Sequence, residues 1–518
     1  MNPSDEGSPP RIPEWIPGRV AEPTPPGWRS PSPPSPAAPP GRPPAAAAPA
    51  PPPAPPRAPL PPDAPSWLRQ APTRAPDAPV VWGPPQAPRR RPRGWLIALV
   101  VVGLALALVA AVLSLQSPDA APSRVASSVA PRLRANDPVR QVQHVLALRA
   151  QAIVHHNRAG FLASVDSRRT SFYRAQAVLF DRMATAPFSG FAYQLDSPAN
   201  LATARIRQRY APAPVYLPEI QASYHFRGQD ASPVLARFYY TFVWTGSAWR
   251  IAAQDELRPL VQSDAEIWDA GTLQTVATSR TLVVFHPGDS VLANRLRGAA
   301  EQGYAQVAAS WSGSWEHKVV ILVPHDQAEA ERLVGARDLG QVAAVAASSI
   351  ESGAFQRVLG NRIVVNSTNV RRYDQLNLQV VMTHEMTHVA TRTIGQGVPL
   401  FIVEGFADFT ALRPIGQPLA FTRPALASAV KAGRFDGTLP SDADLRGANA
   451  SVAYDASSSF CLWVATTFGE PRLQALYRAF RGTAEPGIAG QDIVFRHVLG
   501  ISRATAQTRW ATWVRQVL

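Results

Sequence analysis

The sequence predicts an α+β protein that follows an unstructured tail and a single membrane-spanning helix. Three observations carry that expectation. Of 53 prolines in 518 residues, 33 fall before residue 95. The run Trp95–Leu115 has 21 residues and no charge. Beyond it, helix-spaced apolar positions are interleaved with short β-branched and aromatic runs.

Residues 1–94 show almost no helical or strand period, and repeats such as PPSPAAPPGRPP favour an extended polyproline II chain that cannot bury a core. By default this tail is a spacer. Trp15, Trp28, Trp67 and Trp82 punctuate it, and aromatic residues in such a chain can dock a cytoplasmic partner. Both readings stay open.

As a helix, Trp95–Leu115 spans about 30 Å, one bilayer crossing. Arg89, Arg90, Arg91 and Arg93 stand directly before it and the next basic residue is Arg124, so the tail is expected inside and residues 116–518 outside. A cleaved signal peptide fits less well, because the apolar run is longer and the preceding segment far longer than such signals have. The expected location is therefore the cell membrane, single-pass, with lipid bilayer contact through one helix. A Ser/Ala/Pro-containing linker, 116–136, follows.

In residues 137–256, Asp137 is placed to cap a helix from Pro138, with Val142, Val145, Leu146, Ala150, Ile153 and Phe161 at near-helical spacing. A second helix is expected near Phe172–Ala184. Tyr216–Phe226 and Leu235–Thr245 alternate as strands, and Thr245-Gly-Ser-Ala-Trp249 reads as a hairpin into Trp249–Gln254. This order of helices and hairpins resembles the nuclear transport factor 2-like domains, which implies a cone-shaped fold that binds a ligand or partner or simply packs. His155 and His156 lack a carboxylate at i+4 and read as a solvated helix face.

The chemistry lies in residues 270–518. In His384-Glu385-Met386-Thr387-His388 the two histidines are four apart, so a helix presents both imidazoles to one metal ion with Glu385 beside them. Sixteen residues on, Glu404 and Asp408 share a face of a second apolar helix within Pro399–Phe409. This layout resembles the gluzincin clan of zinc peptidases, and within it the peptidase MA-like group. The resemblance implies a thermolysin-like domain in which His384, His388 and Glu404 hold Zn²⁺, Glu385 is the general base and Asp408 orients His384. Two histidines and a glutamate plus water make a catalytic rather than a structural zinc set. Phe401 and Phe409 stand where relatives often carry Trp and Tyr, which bears on pocket shape rather than on metal binding.

Around these residues, Thr281–Phe285 and Val319–Val323 predict buried strands separated by a helix near Ser290–Trp311. Asn361–Asn366 predicts a further strand, read as the sheet edge to which an extended peptide adds. Pro424–Ala432, Ser451–Phe468, Pro471–Phe480, Gly490–Leu499 and Arg503–Val517 predict a helical subdomain across the cleft. Peptide hydrolysis needs a donor to the developing oxyanion. Tyr454 is the candidate, with simple packing the other reading, and His497 looks solvent-facing.

The net charge of +14 does not imply nucleic acid. Only Lys318 and Lys431 are lysines, +5 of the charge lies in the first 94 residues, and no stripe of basic and aromatic residues interleaves. The lone Cys461 sits in an apolar run and reads as a buried thiol. Two functions fit these residues. One is a membrane-anchored zinc peptidase acting on a peptide or protein substrate outside the cytoplasm. The other is a membrane-tethered interaction protein whose zinc site is regulatory or vestigial.

Overall fold

The computed structural model describes residues 137–518, apart from 337–338, 341, 351–357, 396 and 482–486. The proline-rich tail 1–94, the expected span 95–115 and the linker 116–136 lie outside the described residues. Among the described residues no helix is long and apolar enough to cross a membrane.

Helix α1 (Pro138–Val154) starts as its sequence requires: the Asp137 carboxylate accepts the Arg140 N–H at 3.3 Å, and proline occupies the first turn. It buries Val142, Val145, Leu146 and Ile153. His155 and His156 lie just past its end and are exposed. Helix α2 (Thr170–Met183) follows, and then an antiparallel sheet of β1 (Phe188–Ser197), β2 (Val215–Tyr216), β3 (Glu219–Phe226), β4 (Val234–Trp244) and β5 (Trp249–Gln254). The order is β1-β3-β4-β2, with β5 also paired to β4. Strand β1 and a short helix at Ala204–Tyr210 go beyond the sequence expectation.

The second sheet contains β6 (Gln274–Ala277), β7 (Thr281–Phe285), β8 (Val319–Val323), β9 (Ala344–Ile350) and β10 (Val358–Val365), in the order β6-β7-β8-β10-β9. The inner pairs β7-β8 and β8-β10 are parallel, which demands a crossover, and α3 (Ser290–Ser310) supplies the one from β7 to β8. Strand β8 is apolar throughout, and β7 is apolar after Thr281, because both faces are covered. Val283, Phe285, Ile321, Val323, Ile363 and Val365 face the helices around the histidine motif. Leu282, Val284, Val320, Leu322 and Val364 point the other way, into one cluster with Ile220, Tyr224, Phe226 and Phe238 of the first sheet. The two sheets thus share a core, and Arg362 of β10 makes a buried two-pronged ion pair with Asp230, at 2.6 and 2.8 Å.

The structure corrects one sheet position. Asn361–Asn366 is expected at the edge, yet β10 lies between β8 and β9, and β9 is the edge strand. Its sequence, Ala-Val-Ala-Ala-Ser-Ser-Ile, has small residues and little alternation, so it carries a weak strand signal of its own.

Helix α4 (Gln327–Val334) follows β8. Helices α5 (Gln375–Thr391) and α6 (Leu400–Leu412) form the floor of the site. Gly303 lets α3 lie against α5, since a Cβ there would meet Thr383 Oγ1 at 2.4 Å and Met386 Cε at 2.8 Å. Gly405 does the same for α6 against Ser457 O, at 2.4 Å. Helices α7 (Pro424–Lys431), α8 (Ala450–Phe468), α9 (Glu470–Ala479), α10 (Ile488–Leu499) and α11 (Arg503–Val517) complete the chain close to their expected bounds. Cys461 is fully buried in α8, and burial pushes its thiol pKa up. The described chain is a mixed α+β structure.

Candidate metal centre

Asp374 caps α5 by accepting the Asn377 N–H at 2.8 Å, and the helix runs unbroken through His384, Glu385 and His388. Helix α6 packs on it and brings Glu404 and Asp408 to the same spot. His384 Nε2 lies 3.0 Å from His388 Nε2 and 3.4 Å from Glu404 Oε2, and His388 Nε2 lies 3.5 Å from that same oxygen. The rings are crossed at 80°, so their in-plane nitrogens converge.

These separations suit a tetrahedral ion. Ligand atoms bonded at about 2.0–2.1 Å stand about 3.3 Å apart around such a centre. The tautomer agrees. Asp408 Oδ1 is 2.8 Å from His384 Nδ1, so this nitrogen carries the hydrogen and Nε2 presents its lone pair to the cluster. Two imidazole lone pairs and a carboxylate facing one point need a cation or a proton between them. Burial opposes charge on His384, but Asp408 and Glu404 outweigh it and hold its pKa well above 6.5. Burial likewise works to raise the Glu404 pKa, yet the two histidines hold that carboxyl far below the usual range.

Glu385 is buried beside the cluster. Its Oε2 accepts the N–H of Ala346 in the edge strand at 2.7 Å. Burial, the largest influence, keeps its pKa above the ordinary carboxylate value against the pull of His384 and His388.

No family model and no curated protein matches the chain. Solved structures give low-level similarity. A glutamate-to-alanine mutant of an M1 zinc metallopeptidase from Deinococcus radiodurans has 13% identity and a TM-score of 0.27, covering 64% of this chain and 71% of that one. A two-domain M1 zinc metallopeptidase mutant bound to L-tryptophan has 12% identity and a TM-score of 0.26, covering 64% and 70%. The Deinococcus radiodurans mutant bound to a Tyr-Ser-Ala substrate has 13% identity and a TM-score of 0.26, with the same coverage as the second. The chemistry of the site therefore rests on its own atoms.

Of the residues predicted from sequence, His384, Glu385, His388, Glu404 and Asp408 meet at this centre. Tyr454, on α8, is part-buried, and its hydroxyl pKa is raised well above 10, first by the Glu404 charge and then by burial. That places it in the electrostatic neighbourhood of the cluster. His497 is exposed on α10. Phe401 and Phe409 are buried in the α6 core. Sequence reasoning missed Ala346 and Arg392, whose guanidinium Nη1 donates to Ala346 O at 2.6 Å. The spacing held a clue, because Arg392 is two turns after Glu385 on one helix face.

Proposed function

We propose that this chain is a zinc-dependent peptidase of thermolysin-like architecture. Its cytoplasmic tail precedes a single membrane-spanning helix at 95–115, and its catalytic half, 270–518, works outside the cytoplasm. The observation that supports this reading is the convergence of His384 Nε2, His388 Nε2 and Glu404 Oε2 within 3.5 Å of one another, with Glu385 alongside. Bound there, zinc supplies Lewis acidity and lowers the pKa of a water molecule.

The chain's own residues do the rest. Glu385 takes the proton of the attacking water and passes it to the departing amine. Asp408 keeps the hydrogen on His384 Nδ1, so that Nε2 stays a ligand. Tyr454 donates to the oxygen on which negative charge develops. Residues 137–256 form a nuclear transport factor 2-like unit that buttresses the catalytic sheet through their common core.

The test is turnover. Full-length protein in detergent should cleave a mixture of quenched fluorescent peptides, and the activity should vanish on chelation and in Glu385→Gln. Zinc binding without any such cleavage would favour the tethered interaction protein. Protease applied to intact cells should digest residues beyond 115 and spare the tail. The reverse pattern would put the catalytic half inside.

A further inference from the structure

The centre's helix and the edge strand are joined at one residue of β9 by two hydrogen bonds. Ala346 donates its N–H to Glu385 Oε2 at 2.7 Å, and Arg392 donates to Ala346 O at 2.6 Å. The strand register makes this contact available. Asn366 N–H donates to Ala343 O at 2.8 Å, and Val365, Val364 and Ile363 face Ala344, Val345 and Ala346 in the antiparallel ladder. Alternate residues of such a ladder exchange hydrogen bonds, so Val345 turns its backbone to β10 while Ala344 and Ala346 turn theirs outward. Among the described residues, only at Ala346 do Glu385 of α5 and Arg392, just past the end of α5, supply a carboxylate for the N–H and a guanidinium for the C=O.

Glu385 is held on one side only. Its Oε2 carries the Ala346 hydrogen bond, and its Oε1 has no hydrogen-bond partner among the described residues. The pinned oxygen sets the plane of the carboxylate and the other is left to receive a proton. The pin is only as firm as the strand that carries it. Ala346 lies on an edge strand of small residues, and among the described residues β9 has a neighbour on one side alone. Arg392 is the group that ties this residue to the helix that also carries Glu385.

We propose that Arg392 is a positioning residue: it clamps the edge strand onto α5 at Ala346, so that the Ala346 N–H fixes the orientation of Glu385. The proposal builds on the reading of Glu385 as the base. A purely structural arginine would affect stability and zinc content together. A clamp lowers kcat while leaving zinc and KM in place.

Hydrogen exchange of the full-length protein, resolved to single amides, tests the clamp without any substrate. In wild type the Ala346 amide should exchange at least about tenfold more slowly than that of Ala344, its outward-facing neighbour. Arg392→Met should erase the difference, and Arg392→Lys should keep part of it. With quenched fluorescent casein as probe, Arg392→Met should retain one zinc and lose about 100-fold in kcat with little change in KM. Added guanidinium should restore part of the rate of Arg392→Ala. Equal exchange at Ala346 and Ala344 in wild type, or wild-type exchange in Arg392→Met, would overturn the clamp. Wild-type activity in Glu385→Gln would overturn the reading of Glu385 as the base, and no casein cleavage at all would overturn the peptidase reading, while the exchange result still decides the clamp.

Discussion

Among the described residues, two clusters each contain two histidines and a glutamate, and they are built differently. At His384, His388 and Glu404 the rings cross at 80° with centroids 4.7 Å apart, and three ligand atoms converge. At His286, His325 and Glu329 the rings lie stacked, 3.9 Å apart and 15° from parallel. Lone pairs of imidazole lie in the ring plane, so stacked rings aim them side by side rather than at a common point. His286 has both nitrogens in use, Nδ1 at 3.1 Å from Thr272 O and Nε2 at 2.9 Å from Glu329 Oε1. Glu329 Oε2 accepts the backbone N–H of His325 at 2.8 Å. The second cluster is a buried ion pair with a stacked lid, and residue composition alone does not separate it from the first.

The largest expected effect follows directly. Metal analysis of the purified full-length protein should find one zinc per chain, not two. His384→Ala or His388→Ala should abolish it, and Glu329→Gln should leave it unchanged. Zinc that vanishes with Glu329 would reverse the assignment of the two clusters. Next in size is Glu385→Gln, which is nearly isosteric and touches no ligand. It should keep the metal and lose about 100- to 10,000-fold in kcat. Retained turnover would show that another group takes the proton.

The first cluster was legible in the sequence because each helix contributes two residues four apart, and helical periodicity is local. His384 with His388 and Glu404 with Asp408 can be read from spacing alone. Strands β7 and β8 were legible as short runs that are apolar but for Thr281. The missing pieces are non-local. Strand β9 carries little pattern of its own and is defined by its pairing to β10 and its anchorage on α5. Arg362 and Asp230 are 132 residues apart, and only the packing of the two sheets brings them together. The second histidine cluster joins residues before α3 to residues after β8 and left no motif at all.

Asp408→Asn separates orientation from ligation. The amide can still accept a hydrogen bond from His384 Nδ1 but lacks the charge that favours the ligating tautomer. Zinc affinity should fall about 10- to 100-fold, measured by competition with a chelator of known affinity. An unchanged affinity would mean that packing alone orients the His384 ring.

The smallest effect concerns the second cluster and is a matter of pH. His286 is fully buried, and although burial disfavours its charge, the Glu329 carboxylate, the Thr272 carbonyl and the nearby Asp289 raise its pKa above 6.5. Asp289 is itself paired with Arg371, and His325 covers the ring from the solvent side. A histidine whose pKa rises on folding contributes stability that is fully present below about 6.5 and is lost as pH climbs through the folded value. Glu329→Gln should therefore cost about 1.5 kcal/mol at about pH 6, where the carboxylate meets an imidazolium. The cost should shrink once the folded pKa is passed, because a neutral imidazole needs no counter-charge. Denaturant unfolding of both proteins across this range gives the two curves, with zinc kept saturating so that the first cluster contributes equally to each. Curves that nearly coincide at every pH would mean that His286 is neutral throughout, and the ion-pair description of the second cluster would fail. Curves that converge on raising the pH would show that the second cluster, alike in composition to the first, answers to a proton.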